Sequence, residues 1–212
     1  MIKRPTISQA YKIFEQTVKG ETFFCPKSKN KGVEGQFLEK KLGIPTSSAC
    51  LDCVDGEVKV FPLYKLKNGE WSSKETVAIT MSGLNHDKQR PFSKLLSIKT
   101  WENSPLKKKT NNLLLISYIR DGDNIRFLHS YLFDSNCSEY SQFESDYNQI
   151  IKHYDTVGIC QLAKGEDGYC TNTINGKYIQ GRTKGQGGTN KTVGFYFRKT
   201  QFIKDVILYP KK

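Results

Sequence analysis

The clearest pattern of hydrophobic and polar positions lies at residues 111–133, NNLLLISYIRDGDNIRFLHSYLF. Two apolar runs flank the turn sequence DGDN, and runs arranged in this way are typical of a β-hairpin. Strand-like patterns also occur in LDCVDGEVKVFP (51–62), ETVAITMSG (75–83) and GKYIQGR (176–182), while GFYFRKTQFIKDVIL (194–208) predicts a strand running into a closing helix. The chain therefore contains several strands, and we expect most of them to be antiparallel.

Helical patterns lie between these strands. Thr6 and Gln9 form the capping-box sequence T-x-x-Q, which predicts the start of a helix that ends near Gly20. A short helix is predicted at QFLEKKLG (36–43), which ends in glycine. The segment EYSQFESDYNQIIKHY (139–154) has helical spacing, and its apolar stripe consists of Phe143, Tyr147, Ile150, Ile151 and Tyr154.

These elements predict one domain of the mixed α/β (α+β) class. The 212 residues are enough to bury a full core. No internal repeat, disordered tract or inter-domain linker interrupts the pattern. We therefore expect residues 1–212 to form a single domain in which helices are mixed with mostly antiparallel strands.

The chain is strongly basic. Its 33 lysines and arginines outnumber the 21 acidic residues, which gives a net charge of +12 and a pI near 9.3. Such an excess favours a polyanionic partner through electrostatic steering and counterion release. Nucleic acid is the first candidate and an anionic membrane surface the second. The sequence has no amphipathic helix with a lysine-rich polar face, which counts against the membrane.

The sequence predicts neither a membrane span nor a secretion signal. No apolar run approaches the roughly 20 residues that a spanning helix needs, and the opening MIKRPTISQAYKIF has no continuous apolar segment. Because the core can fold without disulfides, we expect the six cysteines to be reduced thiols in a cytoplasmic protein. A zinc site is the alternative, with ligands Cys50, Cys53, Cys160 and Cys170.

The segment LDCVDGEVKVFP carries the candidate chemistry. Asp55-Gly56 is a strong hairpin signal, and a two-residue turn there would place Asp52 opposite Lys59. Residues that are directly opposed, or two apart on one strand, share a face of the sheet. Asp52, Glu57 and Lys59 are therefore predicted to project from the same side. The alternative is a surface hairpin with solvated charges.

An acidic residue followed by E-x-K on a strand is the arrangement of the PD-(D/E)xK nucleases. Two carboxylates a few ångströms apart repel each other unless a cation lies between them. Mg²⁺ suits this place, since it takes one or two carboxylates, keeps several waters and binds a substrate phosphate oxygen. The neighbouring lysine can orient or deprotonate the attacking water and offset charge on the phosphorus. The segment thus predicts a metal site for phosphodiester hydrolysis.

Five blocks of the sequence resemble the MutH family in order and content. They are KGVEGQFLEKKLGIP (31–45), DGEVKVFPL (55–63), TWENSPLKKKTNNLLLI (100–116), YIQGRTKG (178–185) and GFYFRKTQF (194–202). That family contains a mismatch-repair endonuclease that nicks GATC and restriction endonucleases that cut GATC. The resemblance implies a restriction-endonuclease-like fold, with a central mixed sheet flanked by helices and two lobes forming a DNA cleft. The catalytic lobe would occupy about residues 1–105 and the DNA-recognition lobe the remainder.

The resemblance also implies catalytic roles. Glu39, in the motif of the short helix, is similar to the family's helical catalytic glutamate beside the metal site, and Lys59 is similar to its catalytic lysine. Lys109, the last lysine of LKKK, is similar to a further lysine that the family needs for cleavage; a solvated charge cluster is the plainer alternative. The implied cofactor is Mg²⁺, with Mn²⁺ as a substitute. Its implied ligands are Asp52, Glu57, Val58 and Glu39.

Other positions match residues that meet DNA in the family. Arg182 can contact a guanine or a phosphate. Tyr196 matches the family's tyrosine near the adenine whose methylation is sensed, although GFYF also suits a core aromatic. The loop GQGGTNKT (185–192) lacks the glycine that a P-loop needs before its lysine and leads into a strand, and both departures count against nucleotide binding. The predicted DNA-binding residues are Lys31, Arg182, Lys184, Lys191 and Tyr196.

The leading hypothesis is a Mg²⁺-dependent endonuclease that cuts double-stranded DNA at GATC. We favour a type II restriction enzyme because the basic residues are strongly biased towards lysine. Cutting both strands of a palindrome needs two active sites, so a homodimer is expected at least on DNA. The alternatives are a repair endonuclease that nicks hemimethylated GATC and, from another class, a catalytically inactive GATC-binding module.

Overall fold

The computed structural model describes residues 3–29, 32–85, 100–157, 173–184 and 192–210. The chain divides into two compact units that alternate along its length. The first unit contains Met1–Val77 and Lys109–Ser135, and the second contains Ala78–Lys108 and Asn136–Lys212. Each unit is therefore assembled from separate stretches of the chain.

The described helices are α1 (Ile7–Ile13), α2 (Val33–Lys41), α3 (Pro105–Thr110) and α4 (Tyr140–Val157), with π-helical segments at Phe14–Val18 and Lys199–Leu208 and a 3₁₀ turn at Trp101–Asn103. The described strands are β1 (Thr22–Phe24), β2 (Glu57–Lys65), β3 (Trp71–Ser73), β4 (Val77–Asn85), β5 (Asn112–Asp121), β6 (Asn124–Asp134), β7 (Thr173–Asn175), β8 (Ile179–Lys184) and β9 (Thr192–Phe197). The predicted mixed α/β class is thus confirmed. None of these described helices is long and apolar enough to cross a membrane.

The first unit is built on a five-stranded mixed sheet in the order β1-β6-β5-β2-β3. β5 is antiparallel to β6 and parallel to β2. Its residues 113–116 are fully buried, as expected for a strand covered on both faces. Ile7 of α1, Phe14 of the following π-helical segment and Leu38 of α2 belong to the apolar core of this unit. The start of β2, where the candidate chemistry lies, therefore adjoins a well-packed centre.

Two local signals in this unit are confirmed. The Gln9 N–H donates to Thr6 Oγ1 at 3.2 Å and the Thr6 N–H donates to Gln9 Oε1 at 2.9 Å, which are the reciprocal bonds of a capping box. β5 and β6 form the predicted hairpin, and Gly122 in its turn has a φ of +58°. Glycine adopts this left-handed conformation without steric cost, which explains its place in DGDN.

The predicted hairpin at Asp55-Gly56 is wrong. Residues 51–55 form no strand, and β2 begins only at Glu57 and pairs with β3 and β5. Gly56 does not have the positive φ that a tight Asp-Gly turn needs. It is required by close packing instead, since a Cβ there would lie 2.2 Å from the Asn112 carbonyl oxygen and 2.5 Å from Ile7 Cγ1. Local sequence does not separate these two uses of glycine.

Gly56→Ala is expected to destabilise the fold by roughly 2–3 kcal/mol, because the added methyl group meets backbone that cannot move without shifting β5. Thermal unfolding should show a fall of roughly 5–10 °C in melting temperature. Gly35→Ala is the matched control. Gly35 lies within α2, and its Cβ would lie 3.8 Å from Val60 Cγ2 of β2, which is an ordinary van der Waals distance. Alanine should therefore be tolerated there. Equal melting temperatures for the two variants would contradict this account of Gly56.

The second unit contains the four-stranded sheet β4-β9-β8-β7, whose β7–β8 and β8–β9 pairs are antiparallel. Helix α4 packs against β7 and β8. The predicted closing helix is confirmed as the π-helix Lys199–Leu208, whose Phe202 stacks on Phe197 with ring centroids 4.5 Å apart. The predicted apolar stripe of α4 is confirmed by the partly buried Ile151 and by the buried Phe143, Tyr147, Ile150 and Tyr154.

One acidic residue lies on this apolar stripe. Asp146 is fully buried, and its carboxylate accepts the backbone N–H groups of Lys177, Tyr178 and Ile179 at 2.7, 2.6 and 2.8 Å. A Cβ at Gly176 would lie 2.4 Å from Asp146 Cγ, so the turn before β8 approaches the carboxylate closely. Asp146 therefore fastens the β7–β8 turn to α4.

Candidate active site

Two predicted site residues lie at the start of β2. Glu57 is the first residue of the strand and Lys59 is the third, so the pleat directs both side chains to one face. Lys59 Nζ lies 2.5 Å from Glu57 Oε1. The prediction that these two residues share a side is confirmed, and the strand alone is sufficient to produce it.

Lys109 reaches the same carboxylate from another part of the sequence. It lies near the end of α3, shortly before β5, the strand that runs parallel to β2. Lys109 Nζ lies 2.6 Å from Glu57 Oε1. The Glu57 side chain is 1% exposed, whereas those of Lys59 and Lys109 are 23% and 19% exposed. One oxygen of a buried carboxylate thus accepts from two lysines that both reach solvent.

The second oxygen of Glu57 differs from the first. Glu57 Oε2 is buried and forms no hydrogen bond with any of the described residues. Leaving a buried carboxylate oxygen unpaired is unfavourable, because the oxygen loses its hydrogen bonds to water on burial and gains none from the protein in return. A cation bound to this oxygen would remove that cost.

Asp52 lies in the irregular segment 51–55 that precedes β2. The Val58 N–H donates to Asp52 Oδ2 at 3.0 Å, which holds this carboxylate at the start of the strand. Burial raises the pKa of Asp52; the charge of Lys59 opposes this rise, and that of Glu57 adds to it. Asp52 therefore interacts electrostatically with both residues with which it was predicted to share a side.

Glu39 approaches the same group from α2. Gly35, one helical turn earlier, faces β2, where a Cβ would lie 3.8 Å from Val60 Cγ2 and 4.0 Å from Glu39 Oε1. Burial raises the pKa of Glu39, and the neighbouring charge of Asp52 raises it further. The first unit therefore brings together all five predicted catalytic residues, Glu39, Asp52, Glu57, Lys59 and Lys109.

An ion pair fixes the beginning of α2. Arg120 on β5 donates to Glu34 Oε1 from Nε at 3.1 Å and from Nη2 at 2.9 Å, and its Nη1 donates to the Cys25 carbonyl oxygen at 2.7 Å. Glu34 lies in the first turn of α2, the helix that carries Glu39. Sequence reasoning missed this contact because Arg120 and Glu34 are 86 residues apart and belong to no common motif.

The arrangement fits a hard divalent cation such as Mg²⁺. Three carboxylates against two lysines leave one net negative charge, and Glu57 Oε2 finds no partner among the described side chains and backbone groups. Within the described ranges, no three acidic, histidine or cysteine side chains converge as a ready-made metal site. Mg²⁺ needs only one or two protein carboxylates, which Asp52 and Glu57 supply. Val58 can take part only through its backbone carbonyl oxygen.

The cysteines of the described residues do not support the alternative zinc site. Cys50 is exposed and Cys53 is buried, and both are free thiols. Burial, together with the charges of nearby carboxylates, raises the pKa of Cys53 to about 12. Among the described residues, no group of three histidine, cysteine or acidic side chains that could hold a metal ion occurs. Cys160 and Cys170 lie outside the described residues.

Two predicted DNA-binding residues lie together in the second unit. The Arg182 guanidinium lies over the Tyr196 ring, with its Cζ 4.6 Å from the ring centroid. Tyr196 is 7% exposed, and its ring lies over Gly194, where a Cβ would be 3.0 Å from Tyr196 Cε2. The structure thus shows Tyr196 as a buried aromatic residue with a cation on its face.

The other three predicted DNA-binding residues are not described as side chains. Lys184 belongs to β8, but only its backbone is described. Lys31 and Lys191 lie outside the described residues, as do residues 185–191 of the GQGGTNKT loop. Their contacts with DNA remain predictions from the sequence.

The mixed fold, the basic composition and the carboxylate–lysine group at the start of a central strand are features expected of a DNA endonuclease. A family model described as DNA mismatch repair enzyme MutH matches residues 46–153, just over half of the chain, and the protein belongs to this family. Its fold is accordingly restriction-endonuclease-like. The matched region contains four of the five predicted catalytic residues, while Glu39 precedes it. Among curated proteins, none matches the chain.

Proposed function

We propose that this protein is a Mg²⁺-dependent type II restriction endonuclease that cuts double-stranded DNA at GATC. The observation that carries the proposal is the environment of Glu57, a buried carboxylate with two lysines on one oxygen and, within the described part of the chain, no partner on the other. A purely structural ion pair in a core is expected to satisfy both oxygens. An unpaired oxygen beside two cationic side chains suits a site that takes up a metal ion and a phosphate.

The residues of this group have distinct proposed tasks. Asp52, Glu57, the Val58 carbonyl and Glu39 would hold Mg²⁺, which supplies a Lewis acid for a phosphate oxygen and lowers the pKa of a bound water. Lys59 orients the attacking water, whose oxygen bonds to phosphorus as its proton passes to solvent. The bond from phosphorus to the 3′ oxygen breaks, and that oxygen takes up a proton. The products are a 5′-phosphate and a 3′-hydroxyl.

Lys109 has a supporting task in this scheme. Its ammonium group shares Glu57 Oε1 with Lys59, so it can offset the negative charge that develops on the phosphate. Contacts that position the DNA are assigned to the second unit, with Arg182 and Tyr196 joined by Lys184 and Lys191, and to Lys31 in the first. Because GATC is a palindrome, cutting both strands requires two active sites and therefore a homodimer at least on DNA.

Repair nicking is the second candidate, favoured by the description of the matched family as a DNA mismatch repair enzyme. The two functions differ in which methylation state they act on and in how many strands they cut. A restriction enzyme cuts both strands of unmodified DNA, whereas a repair endonuclease nicks one strand of a hemimethylated duplex and depends on partner proteins. The same group of carboxylates and lysines serves both.

Digestion of a plasmid with Mg²⁺ is expected to give linear fragments whose ends map to GATC, with no cleavage when EDTA replaces Mg²⁺. Duplexes with unmethylated, hemimethylated and fully methylated GATC then separate the candidates. Double-strand cutting of the unmethylated duplex supports restriction, and single nicks confined to the hemimethylated duplex support repair. Ends that map to no common sequence would contradict site-specific cleavage.

A catalytically inactive GATC-binding module is the rival from another class. The presence of Glu39, Asp52, Glu57 and Lys59 in one group counts against it. In the same digestion, Lys59→Ala should lower the cleavage rate by roughly 10²–10³-fold while DNA binding in a mobility-shift assay is retained. Binding by the wild type without any cleavage in Mg²⁺ would favour the module.

A further inference from the structure

The segment that carries Asp52 has no regular secondary structure. Residues 51–55 enter neither a helix nor a sheet, and the Asp52 carboxylate is held from β2 by the Val58 N–H. No ladder of hydrogen bonds fixes a backbone of this kind, so its position depends on individual contacts. Within the segment, the Cys53 N–H donates to the Gly56 carbonyl oxygen at 3.0 Å. Further contacts come from residues 4–7, which the family match does not include.

Two of these contacts are made with the backbone of the segment. Arg4 Nη1 donates to the Leu51 carbonyl oxygen at 2.7 Å. The Val54 N–H donates to the Pro5 carbonyl oxygen at 3.0 Å. One bond lies directly before Asp52 in the sequence and the other two residues after it, so the pair brackets this residue.

Asp55 supplies the third contact. The N–H of Ile7, the first residue of α1, donates to Asp55 Oδ1 at 2.8 Å. The first N–H groups of a helix have no partner within the helix, and the capping box formed by Thr6 and Gln9 leaves this one free for the loop. Asp55 is therefore engaged at the start of α1, although it lies only two residues before Glu57.

Close packing reinforces this attachment. Gly56 follows Asp55 directly, and a Cβ there would lie 2.5 Å from Ile7 Cγ1. Cys53, next to Asp52, is fully buried in the core of the same unit. Residues 4–7 and 51–56 thus contact each other through both hydrogen bonds and packed atoms.

We propose that Asp55 and Arg4 are positioning residues that hold Asp52 at the metal site, an inference that rests on the proposed Mg²⁺-dependent nuclease function. Both act through the backbone of residues 51–55 and touch neither metal nor substrate. Removing either bond loosens this backbone, so that Asp52 spends less time where it can share a cation with Glu57. The expected consequence is weaker metal binding with unchanged DNA binding.

The test uses the full chain with two substitutions at one position. Asp55→Ala removes the acceptor for the Ile7 N–H, whereas Asp55→Asn retains an oxygen that can accept it. Asp55→Ala should weaken Mn²⁺ binding by about 10-fold or more, measured from the EPR signal of free Mn²⁺ with and without a GATC duplex. The Mg²⁺ concentration for half-maximal cleavage should rise by a similar factor, while KM for DNA stays unchanged. Asp55→Asn should behave as the wild type.

Asp123→Ala is the matched control. Asp123 Oδ1 accepts the Lys27 N–H at 3.1 Å, a bond of the same kind in the same unit that holds a different segment. Both alanine variants should lose a few degrees of melting temperature, on the order of 2–4 °C. Only Asp55→Ala should change the metal dependence, which a merely structural role would leave untouched.

The outcomes separate this inference from the function on which it rests. If the wild type binds Mn²⁺ and cuts DNA, and Asp55→Ala matches Asp123→Ala in every metal readout, the positioning role is overturned and the nuclease stands. A wild type that neither takes up Mn²⁺ nor cleaves with Mg²⁺ overturns the nuclease and the positioning role with it. Should Asp55→Ala fail to fold, Arg4→Met removes the bond to Leu51 instead, and an unchanged metal dependence in that variant overturns the proposal.

Discussion

Glu57→Gln is expected to lower the rate of DNA cleavage by roughly 10³-fold or more, because it removes the one carboxylate on which the group is centred. Glu57 accepts from both Lys59 and Lys109, and its second oxygen is the buried atom that lacks a partner. The amide of glutamine has one weaker acceptor and carries no charge to attract a divalent cation. The rate is measured on a duplex that the wild type cuts, at saturating Mg²⁺.

The substitution should leave the protein folded and able to bind DNA. The glutamine oxygen can still accept from one lysine, and both lysines reach solvent. Glu15→Gln is the control, since Glu15 likewise pairs with a lysine, Lys19 at 2.6 Å, but lies outside the catalytic group. Glu15→Gln should cleave as the wild type does. Cleavage by Glu57→Gln within roughly tenfold of the wild-type rate would remove Glu57 from the mechanism.

Asp146→Ala is expected to destabilise the protein by about 4 kcal/mol, because three backbone N–H groups lose their acceptor at once. Asp146 is fully buried, so water enters only if the β7–β8 turn moves away from α4. Thermal unfolding should show a fall of roughly 8–16 °C in melting temperature. Asp146→Asn keeps one acceptor oxygen and should lose about half as much stability.

Glu144→Ala tests whether the effect belongs to the buried carboxylate. Glu144 lies on the same helix, two residues earlier, and is exposed. Its removal should change the free energy of unfolding by no more than about 0.5 kcal/mol. If Asp146→Ala were as mild as Glu144→Ala, the three hydrogen bonds would not be what holds the β7–β8 turn.

The burial of Asp146 could be predicted from its position in the sequence. It lies three residues after Phe143 and four before Ile150, so helical spacing places it on the apolar stripe of α4. An acidic residue in that register has to find partners when the stripe is buried. The helical pattern therefore indicates a buried carboxylate, but the N–H groups that satisfy it lie about thirty residues away and could not be named from the pattern.

The selection of Asp52 over Asp55 illustrates a different limit. The sequence favoured Asp52 through a tight Asp-Gly hairpin, and that hairpin does not exist. Asp52 nevertheless lies at the start of β2, because Val58 donates to it and Asp55 is engaged with Ile7. The structure thus still favours Asp52, but for a different reason. That reason includes the bond between Ile7 and Asp55, which are 48 residues apart in the sequence.

The features that depend on short separations along the chain could be predicted from the sequence. The capping box, the DGDN hairpin, the apolar stripe of α4 and the shared side of Glu57 and Lys59 all follow from periodicity or from rules for neighbouring residues. Contacts between residues far apart in the sequence became known from the three-dimensional fold. The parallel pairing of β2 with β5 brings Lys109 to Glu57. Gly56, which the sequence suggested as a turn residue, is instead required by its close packing against Ile7 and Asn112. The physical reason is that local patterns fix which face a residue occupies, whereas the partners on that face are chosen by the packing of the whole chain.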